Sequence, residues 1–212
     1  MMTTDRITAP VAIGGGGHTR SLVAMAPAAL RPTAYVDPVD SLPLIWLGDD
    51  ETFLADDRYA ALPVIISFVS DASCTMGLRR LIIAKYARRN FATIIADDAL
   101  VEPDVLIGEG TAVFHRAVVN TGTFLGPHTV VNTGAIVEHD VTVGENTFIG
   151  PGAIVCGGAR IGRDVYIGAG ACVRNGISVV DGVTIGAGTV VINDLLHPGV
   201  YVGNPARFIH GI

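Results

Sequence analysis

Aliphatic side chains recur at every sixth position through the second half of the chain. The fourth residue after each of them is usually small or β-branched, as at Thr111, Ala117 and Ala135. Each hexad therefore has two inward positions with one outward residue between them, which is strand alternation in very short strands. This period is typical of hexapeptide repeats and predicts a parallel β-helix. The aliphatic positions are Val101, Ile107, Val113, Val119, Leu125, Val131, Val137, Val143, Ile149, Val155, Ile161, Ile167, Val173, Val179, Ile185 and Val191.

Every hexad also carries its own turn. The third residue after the aliphatic position is Gly, Asp or Asn in most hexads, as at Gly110, Asp140 and Asn146. These residue types tolerate positive φ, so each marks a corner. Three hexads close a triangular coil of eighteen residues, and residues eighteen apart stack at about 4.8 Å. Five coils and a remainder fit before Leu196.

The outward residues differ from one face of the predicted helix to the next. On one face they are all apolar, and an exposed apolar strip predicts burial against neighbouring subunits or a covering element. The second face becomes polar along the helix and is predicted to meet solvent. The apolar stripe is Val118, Ile136, Ile154, Cys172 and Val190, and the second face carries Leu106, Phe124, Thr142, Arg160 and Ser178.

The first half of the chain has the pattern of a nucleotide-binding α/β unit. A short apolar run at 11–13 enters the loop of Gly14, Gly15, Gly16, Gly17 and His18, and a helical pattern follows as far as Met25. A strand, glycine loop and helix in this order form a phosphate cradle. A second strand at 34–37 ends in Asp37, where such folds place a carboxylate on a ribose. The alternative is a glycine loop that packs tightly and binds nothing.

Two more elements complete this unit, a third strand over 62–69 and a helix over 76–89 whose basic residues are expected on a solvated face. About ninety residues make only a half-sized unit, which argues against a nicotinamide dehydrogenase and favours binding of the nucleotide part of a larger substrate. We predict a Rossmann-like domain over 1–97 and a β-helix domain over 98–212.

Composition narrows the choice of partner and compartment. The 212 residues carry a net charge of −6 with no basic run, which argues against nucleic acid and anionic membranes. Three cysteines without motif spacing indicate a reducing compartment. No leader pattern or bilayer-length apolar run is present, so we expect a cytoplasmic protein that binds a small molecule.

His139 is the strongest candidate catalytic residue. It lies between Glu138 and Asp140 at a predicted corner, and a carboxylate on one ring nitrogen makes the other a better base. Gly157, one coil further on, leaves room for an acyl group, and its N–H could bind an oxyanion. The alternative is a solvated corner histidine. The other repeat histidines, His115 and His128, fall at different coil positions, so we expect no three-histidine zinc site within one chain, while a zinc ion bridging two subunits stays an alternative.

Three segments together resemble one protein family. They are the Gly14–His18 loop, the Asn-Thr-Gly-Ala-Ile-Val-Glu-His-Asp segment at 132–140, and the Val-Gly-Asn-Pro-Ala-Arg ending at 202–207. With the hexads, they resemble the bacterial nucleotide-sugar acetyltransferases, which include the acetyl-CoA-dependent N-acetyltransferases of the bacillosamine and perosamine pathways and related sialic-acid O-acetyltransferases. The resemblance implies a left-handed β-helix and a homotrimer with active sites between subunits.

The resemblance also implies roles for individual residues. His139 would be the general base and Asp140 the carboxylate that polarises it. The nucleotide would bind at Gly14, Gly15, Gly16, Gly17, His18 and Asp37, with Asn132 lining the acceptor pocket. Acetyl-CoA would bind near Gly157 and the terminal loop of Gly203, Asn204, Pro205 and Arg207. One departure concerns Phe148, where many relatives have histidine or serine, and it calls a contact from that position to the acetyl or acceptor group into question.

The expected reaction is acetyl transfer from acetyl-CoA to the amine of a nucleotide-linked amino sugar of the 4-amino-4-deoxy type, with no metal. Two alternatives stay open. One is O-acetylation of a sugar hydroxyl, as on a sialic acid. The other is a trimeric ligand-binding scaffold without catalysis. The sequence does not distinguish UDP, GDP and dTDP as the nucleotide.

Overall fold

A computed structural model describes residues 7–69 and 76–211. Its N-terminal domain is a four-stranded parallel sheet with strand order β3-β2-β1-β4. The strands are β1 (Val11–Ile13), β2 (Ala34–Val36), β3 (Ile45–Trp46) and β4 (Val64–Ile66). The helices are α1 (Gly17–Met25), α2 (Asp50–Ala55) and α3 (Gly77–Lys85), with 3-10 turns at Ala28–Leu30 and Asp57–Tyr59. The predicted α/β unit is therefore present.

The strands and helices predicted for the N-terminal domain are present but shorter than predicted, and the strand β3 was not predicted. The third predicted strand is β4, and the helix predicted over 76–89 is α3. The strand β3 has two residues, too few to show alternation, and it follows closely on Pro43. A short edge strand of this kind leaves no periodic signal.

The second half is a parallel β-solenoid of about six turns, as the hexads predict. Three sheets form its faces. The domain-facing sheet contains Ile94–Ile95, Ala112–Val113, Val130–Val131, Phe148–Ile149, Tyr166–Ile167, Val183–Ile185, Gly199–Val202 and the antiparallel Arg207–His210. The apolar sheet contains Leu100–Val101, Val118–Val119, Ile136–Val137, Ile154–Val155, Cys172–Val173 and Val190–Val191. The polar sheet contains Leu106–Ile107, Phe124–Leu125, Thr142–Val143, Arg160–Ile161 and Ser178–Val179.

The strand register follows the predicted coil. Phe124 pairs with Thr142 and Val137 with Val155, eighteen residues apart in each case. The last coil is shorter, because Val183 pairs with Gly199. At the other end Ile94–Ile95 already pairs with the solenoid, before the division at 97/98, which stays a prediction.

Both inward positions of the hexad are buried along the solenoid core. The corner residues from Gly110 to Gly188 are left-handed, and even the two that are not Gly, Asp or Asn adopt this conformation, with φ of 57° at Arg116 and 59° at His128. The steric demand of the tight corner thus overrides residue preference, at a cost of about 1 kcal/mol for each such residue.

The N-terminal domain covers the domain-facing sheet. Outward residues of that sheet, including Ala112, Val130 and Phe148, share one apolar cluster with Leu22 of α1 and Met76. The two other faces carry no such cover within the described part of this chain. Ile154 in the middle of the apolar sheet is 37% exposed, and Leu106 on the polar sheet is 67% exposed.

A buried arginine joins α3 to the solenoid corners. Arg79 is fully buried, and its guanidinium donates to the carbonyl oxygens of Phe68 (2.9 Å) and His128 (2.8 Å) and to Oδ1 of Asn146 (2.6 Å). Beside it, Arg80 forms an exposed ion pair with Asp164. The expectation that the basic residues of this helix face solvent is therefore wrong for Arg79.

No helix within residues 7–69 and 76–211 is long and apolar enough to span a membrane. Of the three cysteines, Cys156 and Cys172 are free and half-buried thiols, and Cys74 lies outside the described residues.

Candidate active site

The His139–Asp140 pair stands on the corner between the apolar and polar sheets. His139 Nδ1 lies 2.9 Å from Asp140 Oδ2, and both side chains are exposed. Asp140 has a φ of 57°, so the corner geometry itself turns its carboxylate back toward the preceding ring. With the proton on Nδ1, the carboxylate accepts it and Nε2 is left as the free base.

Gly157 forms the floor beneath this imidazole. A Cβ on Gly157 would lie 2.6 Å from His139 Nε2 and 2.7 Å from Cε1, distances that only glycine avoids. Gly122 has the same relation to Asp140 from the coil on the other side, with a virtual Cβ 2.6 Å from Oδ1. Glycines on both neighbouring coils therefore make room for the pair.

Of the two backbone polar groups of Gly157, only the carbonyl is hydrogen-bonded within the described residues. Its carbonyl oxygen accepts from the Gly176 N–H at 3.0 Å, and the neighbouring Gly158 N–H donates to the His139 carbonyl at 2.9 Å. The Gly157 N–H makes no hydrogen bond to any described residue. One backbone donor is thus open directly below the imidazole.

The other repeat histidines lie on other corners. His115 Nδ1 is 2.6 Å from Asp98 Oδ1 at the corner between the domain-facing and apolar sheets. His128 is buried at the third corner, where burial and then the Arg79 charge lower its pKa to about 4. Among residues 7–69 and 76–211, no group of three or more His, Cys, Asp or Glu side chains could hold a metal ion.

The glycine loop surrounds a cleft of about 400 Å³ at the carboxyl ends of β1, β2 and β4. Gly15 N–H donates to Asp37 Oδ2 at 2.7 Å, and Asp37 Oδ1 accepts the Val39 N–H at 3.0 Å. Ser41 Oγ donates to the Gly15 carbonyl at 3.0 Å. The loop after β2 is thereby fixed to the glycine loop. The cleft is lined by Gly14, Gly15, Gly16, Gly17, His18, Asp37, Ser67, Phe68 and Val69.

Two hydroxyl groups missed by the sequence analysis support the loop from below. Thr19 Oγ1 donates to the Gly14 carbonyl at 2.8 Å and lies 2.9 Å from Ser67 Oγ, which bonds the Ile13 carbonyl. Ser67 directly follows β4, and that position could have identified it. Among the described residues no side chain caps α1, so its first-turn amides are available to an anion.

His18 ends the loop and faces the solenoid. Its ring centroid is 5.0 Å from that of Phe114 and 6.3 Å from that of Phe148. Burial, and then the charge of Arg79, lowers the pKa of His18 to about 4, so the ring is neutral at pH 7. Its Nε2 has no hydrogen-bond partner among the described residues. Phe148 is itself buried and stacks on Tyr166 at 5.0 Å.

Asn132 lies one coil after Phe114, the ring on which His18 packs. Asn132 follows the strand residue Val131, and its Oδ1 accepts the Thr133 N–H at 2.7 Å. It is 9% exposed. Asn132 thus stands at the corner between the domain-facing and apolar sheets, whereas His139 stands at the far edge of the apolar sheet.

The terminal loop closes the last coil. The Val190 N–H donates to the Gly203 carbonyl at 3.0 Å, and the chain then turns through Asn204 and Pro205 into the strand that begins with Arg207. Gly203, Asn204 and Arg207 are exposed. Within one chain, the predicted site residues therefore form three separate groups.

Two family models match the solenoid. One, bacterial transferase hexapeptide (six repeats), matches residues 122–157, and the other, hexapeptide repeat of succinyl-transferase, matches residues 158–192. No curated protein matches the chain.

Solved structures match almost the whole chain. The acetyltransferase domain of PglB from Neisseria gonorrhoeae FA1090 is 30% identical, with a TM-score of 0.86, over 96% of this chain and 100% of that one. PerB from Caulobacter crescentus, solved with CoA and GDP-perosamine, is 28% identical, with a TM-score of 0.85, over 97% and 99%. WeeI from Acinetobacter baumannii AYE shares the fold, with 19% identity and a TM-score of 0.82 over 95% and 99%.

These likenesses span both domains, and their identity reaches the level expected within one family. The expected fold, an α/β domain followed by a left-handed parallel β-helix, is confirmed. The chain belongs to the family of bacterial nucleotide-sugar N-acetyltransferases and related sialic-acid O-acetyltransferases within the hexapeptide-repeat superfamily, and it is an acetyltransferase.

Proposed function

We propose that this protein transfers the acetyl group of acetyl-CoA to the amine of a nucleotide-linked 4-amino-4-deoxy sugar, without a covalent enzyme intermediate or a metal. The observation that carries the proposal is the His139–Asp140 pair above the open N–H of Gly157. PglB and PerB support the reaction class, since the one is an acetyltransferase domain and the other was solved with CoA and GDP-perosamine.

In the proposed step, the sugar amine attacks the thioester carbonyl carbon. A C–N bond forms, and the carbonyl oxygen gains the negative charge that the Gly157 N–H is free to bind. His139 Nε2 takes the proton released from nitrogen, while Asp140 stabilises the imidazolium. The C–S bond then breaks, and the proton passes to the sulfur of departing coenzyme A.

The nucleotide would bind at the glycine-loop cleft. The first-turn amides of α1, from Gly17 and His18, would receive its phosphates, and the carboxylate of Asp37 would accept from the ribose. Asp37 already accepts one N–H on each oxygen, and each oxygen retains a second lone pair. Asn132, which follows the strand residue Val131, would contact the sugar.

Two copies of the chain are needed to complete this site. The N-terminal domain covers one face of a triangular solenoid, and His139 stands on the corner opposite that face. A sugar anchored in the cleft therefore meets the His139 of a neighbouring copy. The partly exposed apolar sheet lies between the two corners and supports a homotrimer packed through it. Acetyl-CoA would lie along the later coils, with its adenine end near Gly203, Asn204, Pro205 and Arg207.

A thiol-release assay tests the proposal. We expect rapid release of free CoA when acetyl-CoA is mixed with one member of a panel of UDP-, GDP- and dTDP-linked 4-amino-4-deoxy sugars. His139→Ala should lower turnover about 10²-fold or more. His197→Ala is the control, since it removes another exposed histidine at the far end of the solenoid, between Leu195 beside the polar sheet and Gly199 of the domain-facing sheet, and it should have little effect.

The alternatives predict different results in the same assay. Release with free sialic acid alone would assign the protein to O-acetylation, since a free sugar leaves the glycine loop without a nucleotide. A folded protein that releases no CoA with any acceptor of the panel would contradict the proposed acceptor class. Turnover that survives in His139→Ala would contradict the role of His139 as general base.

A further inference from the structure

A second cleft, of about 450 Å³, adjoins the glycine-loop cleft on the same edge of the sheet. It lies at the carboxyl ends of β2 and β3, and Asp37 and Pro38, consecutive in the chain, line one cleft each. The second cleft is lined by Pro38, Trp46, Leu47, Gly48, Asp49, Thr52 and Tyr59. The sequence analysis assigned no role to these residues.

The order of the strands places this cleft on the path of a nucleotide that extends from the glycine loop past Asp37. A phosphate on the loop after β1 and a ribose at Asp37 after β2 extend toward β3, because the sheet order is β3-β2-β1. Two strand spacings separate β1 from β3, about 10 Å. This is the reach of a nucleoside diphosphate from its phosphates to its base.

Trp46 supplies the face on which a base stacks. Trp46 is 43% exposed, and a tryptophan ring offers a large, rigid apolar face for stacking. The indole N–H donates to the Asp37 carbonyl at 2.9 Å, which fixes the ring beside the proposed ribose site. Aromatic stacking holds every base and does not discriminate among them.

Asp49 supplies the discrimination. Its Oδ1 accepts the Thr52 N–H at 2.9 Å, and this bond lowers the pKa of Asp49, so the side chain is a carboxylate near neutral pH. A carboxylate only accepts hydrogen bonds, and lone pairs remain for the cleft. Guanine presents two adjacent donors, N1–H and N2–H₂. Uracil and thymine present one N–H between two carbonyl oxygens, which a carboxylate repels.

We propose that this cleft is the nucleobase subsite, that Trp46 stacks on the base, and that Asp49 selects guanine. The substrate is then a GDP-linked amino sugar. This inference rests on the proposed function, because it extends the nucleotide held at the glycine loop. Asp37 remains the ribose ligand, and His139 is not involved in base selection.

Fluorescence titration of the full-length protein tests the subsite, because Trp46 is the sole tryptophan. We expect GDP to quench Trp46 emission and to bind at least tenfold more tightly than UDP or dTDP, with calorimetry as an independent readout. Asp49→Asn should reduce the preference for GDP to a few-fold or less. Asparagine still caps the helix, so the domain stays folded. Asp56→Asn, which changes another exposed capping aspartate outside the cleft, is the matched control and should keep the preference.

Equal binding of the three diphosphates, absence of quenching, or an unchanged preference in Asp49→Asn would each overturn the inference. The acetyl-transfer assay separates this failure from failure of the proposed function. Turnover of a UDP- or dTDP-linked amino sugar in preference to its GDP counterpart would refute guanine selection and leave N-acetylation standing. Turnover with sialic acid alone, together with no binding of any diphosphate, would refute both.

Discussion

The contact between Gly157 and the His139 ring gives the most direct test of the catalytic corner. In Gly157→Ala the new methyl would lie 2.6 Å from Nε2 and 2.7 Å from Cε1. Non-bonded carbon atoms are normally about 3.5 Å or more apart, so the ring must move by about 1 Å. The solenoid itself has no cause to change, because the clash is with a side chain at an exposed corner.

A displacement of this size at a catalytic group costs about 10²-fold in rate. We therefore expect Gly157→Ala to lower kcat about 10²-fold in the thiol-release assay, with little change in KM for the nucleotide sugar. In a His139→Ala background, Gly157→Ala should cost much less, because its effect passes through the imidazole. Full additivity of the two losses, or an undiminished kcat in Gly157→Ala, would refute this account.

Three further substitutions test the rest of the framework. Gly15→Ala should raise KM for the nucleotide sugar about tenfold, since its Cβ would press on Asp37 and Ser41 at the cleft wall. Arg79→Met should lower the free energy of unfolding in urea by about 3 kcal/mol by stranding buried acceptors, against less than about 1 kcal/mol for the exposed Arg80→Met. Burial lowers the pKa of His18 to about 4 in the fold against about 6.5 unfolded, so its protonation should lower the free energy of unfolding by up to about 3 kcal/mol as pH falls from 6.5 to 4. His18→Asn should remove this part of the loss and keep the part from His128, whose pKa is also lowered to about 4.

The solenoid was predictable in detail because each hexad repeats the same steric demand. Two inward positions and one tight corner leave few residue types acceptable, so periodicity alone locates strands such as Val118–Val119 and Ile136–Val137. The glycine loop and β1 were predictable for a related reason, since a close backbone turn requires glycine, as at Gly14 with a φ of 119°.

Contacts between the two domains were not predictable in this way. The basic pattern of α3 is consistent with a solvated helix, and only the fold reveals that Arg79 reaches the carbonyl of His128 and the amide of Asn146. These two partners lie 49 and 67 positions from Arg79 in the sequence, and no local rule predicts such contacts. The second cleft, proposed as the nucleobase subsite, was missed for a similar reason. The strand β3 is too short for its sequence pattern to indicate that Trp46 lies at the edge of a sheet.

The division of labour within a hexad explains how this fold can carry chemistry at little structural cost. The core of the solenoid is built from the inward positions, such as Val137 and Val155, which are fully buried. His139 and Asp140 occupy corner positions that contribute nothing to that core. The space that their side chains need is left by the corner glycines of the adjacent coils. Substituting His139 or Asp140, the proposed catalytic residues, should therefore change the rate with little effect on stability. Substituting an inward valine should lower stability with little effect on the rate. Phe148 fits the same logic, because its outward position is taken up by packing against the N-terminal domain, which leaves the corners and the glycine-loop cleft for the proposed acceptor.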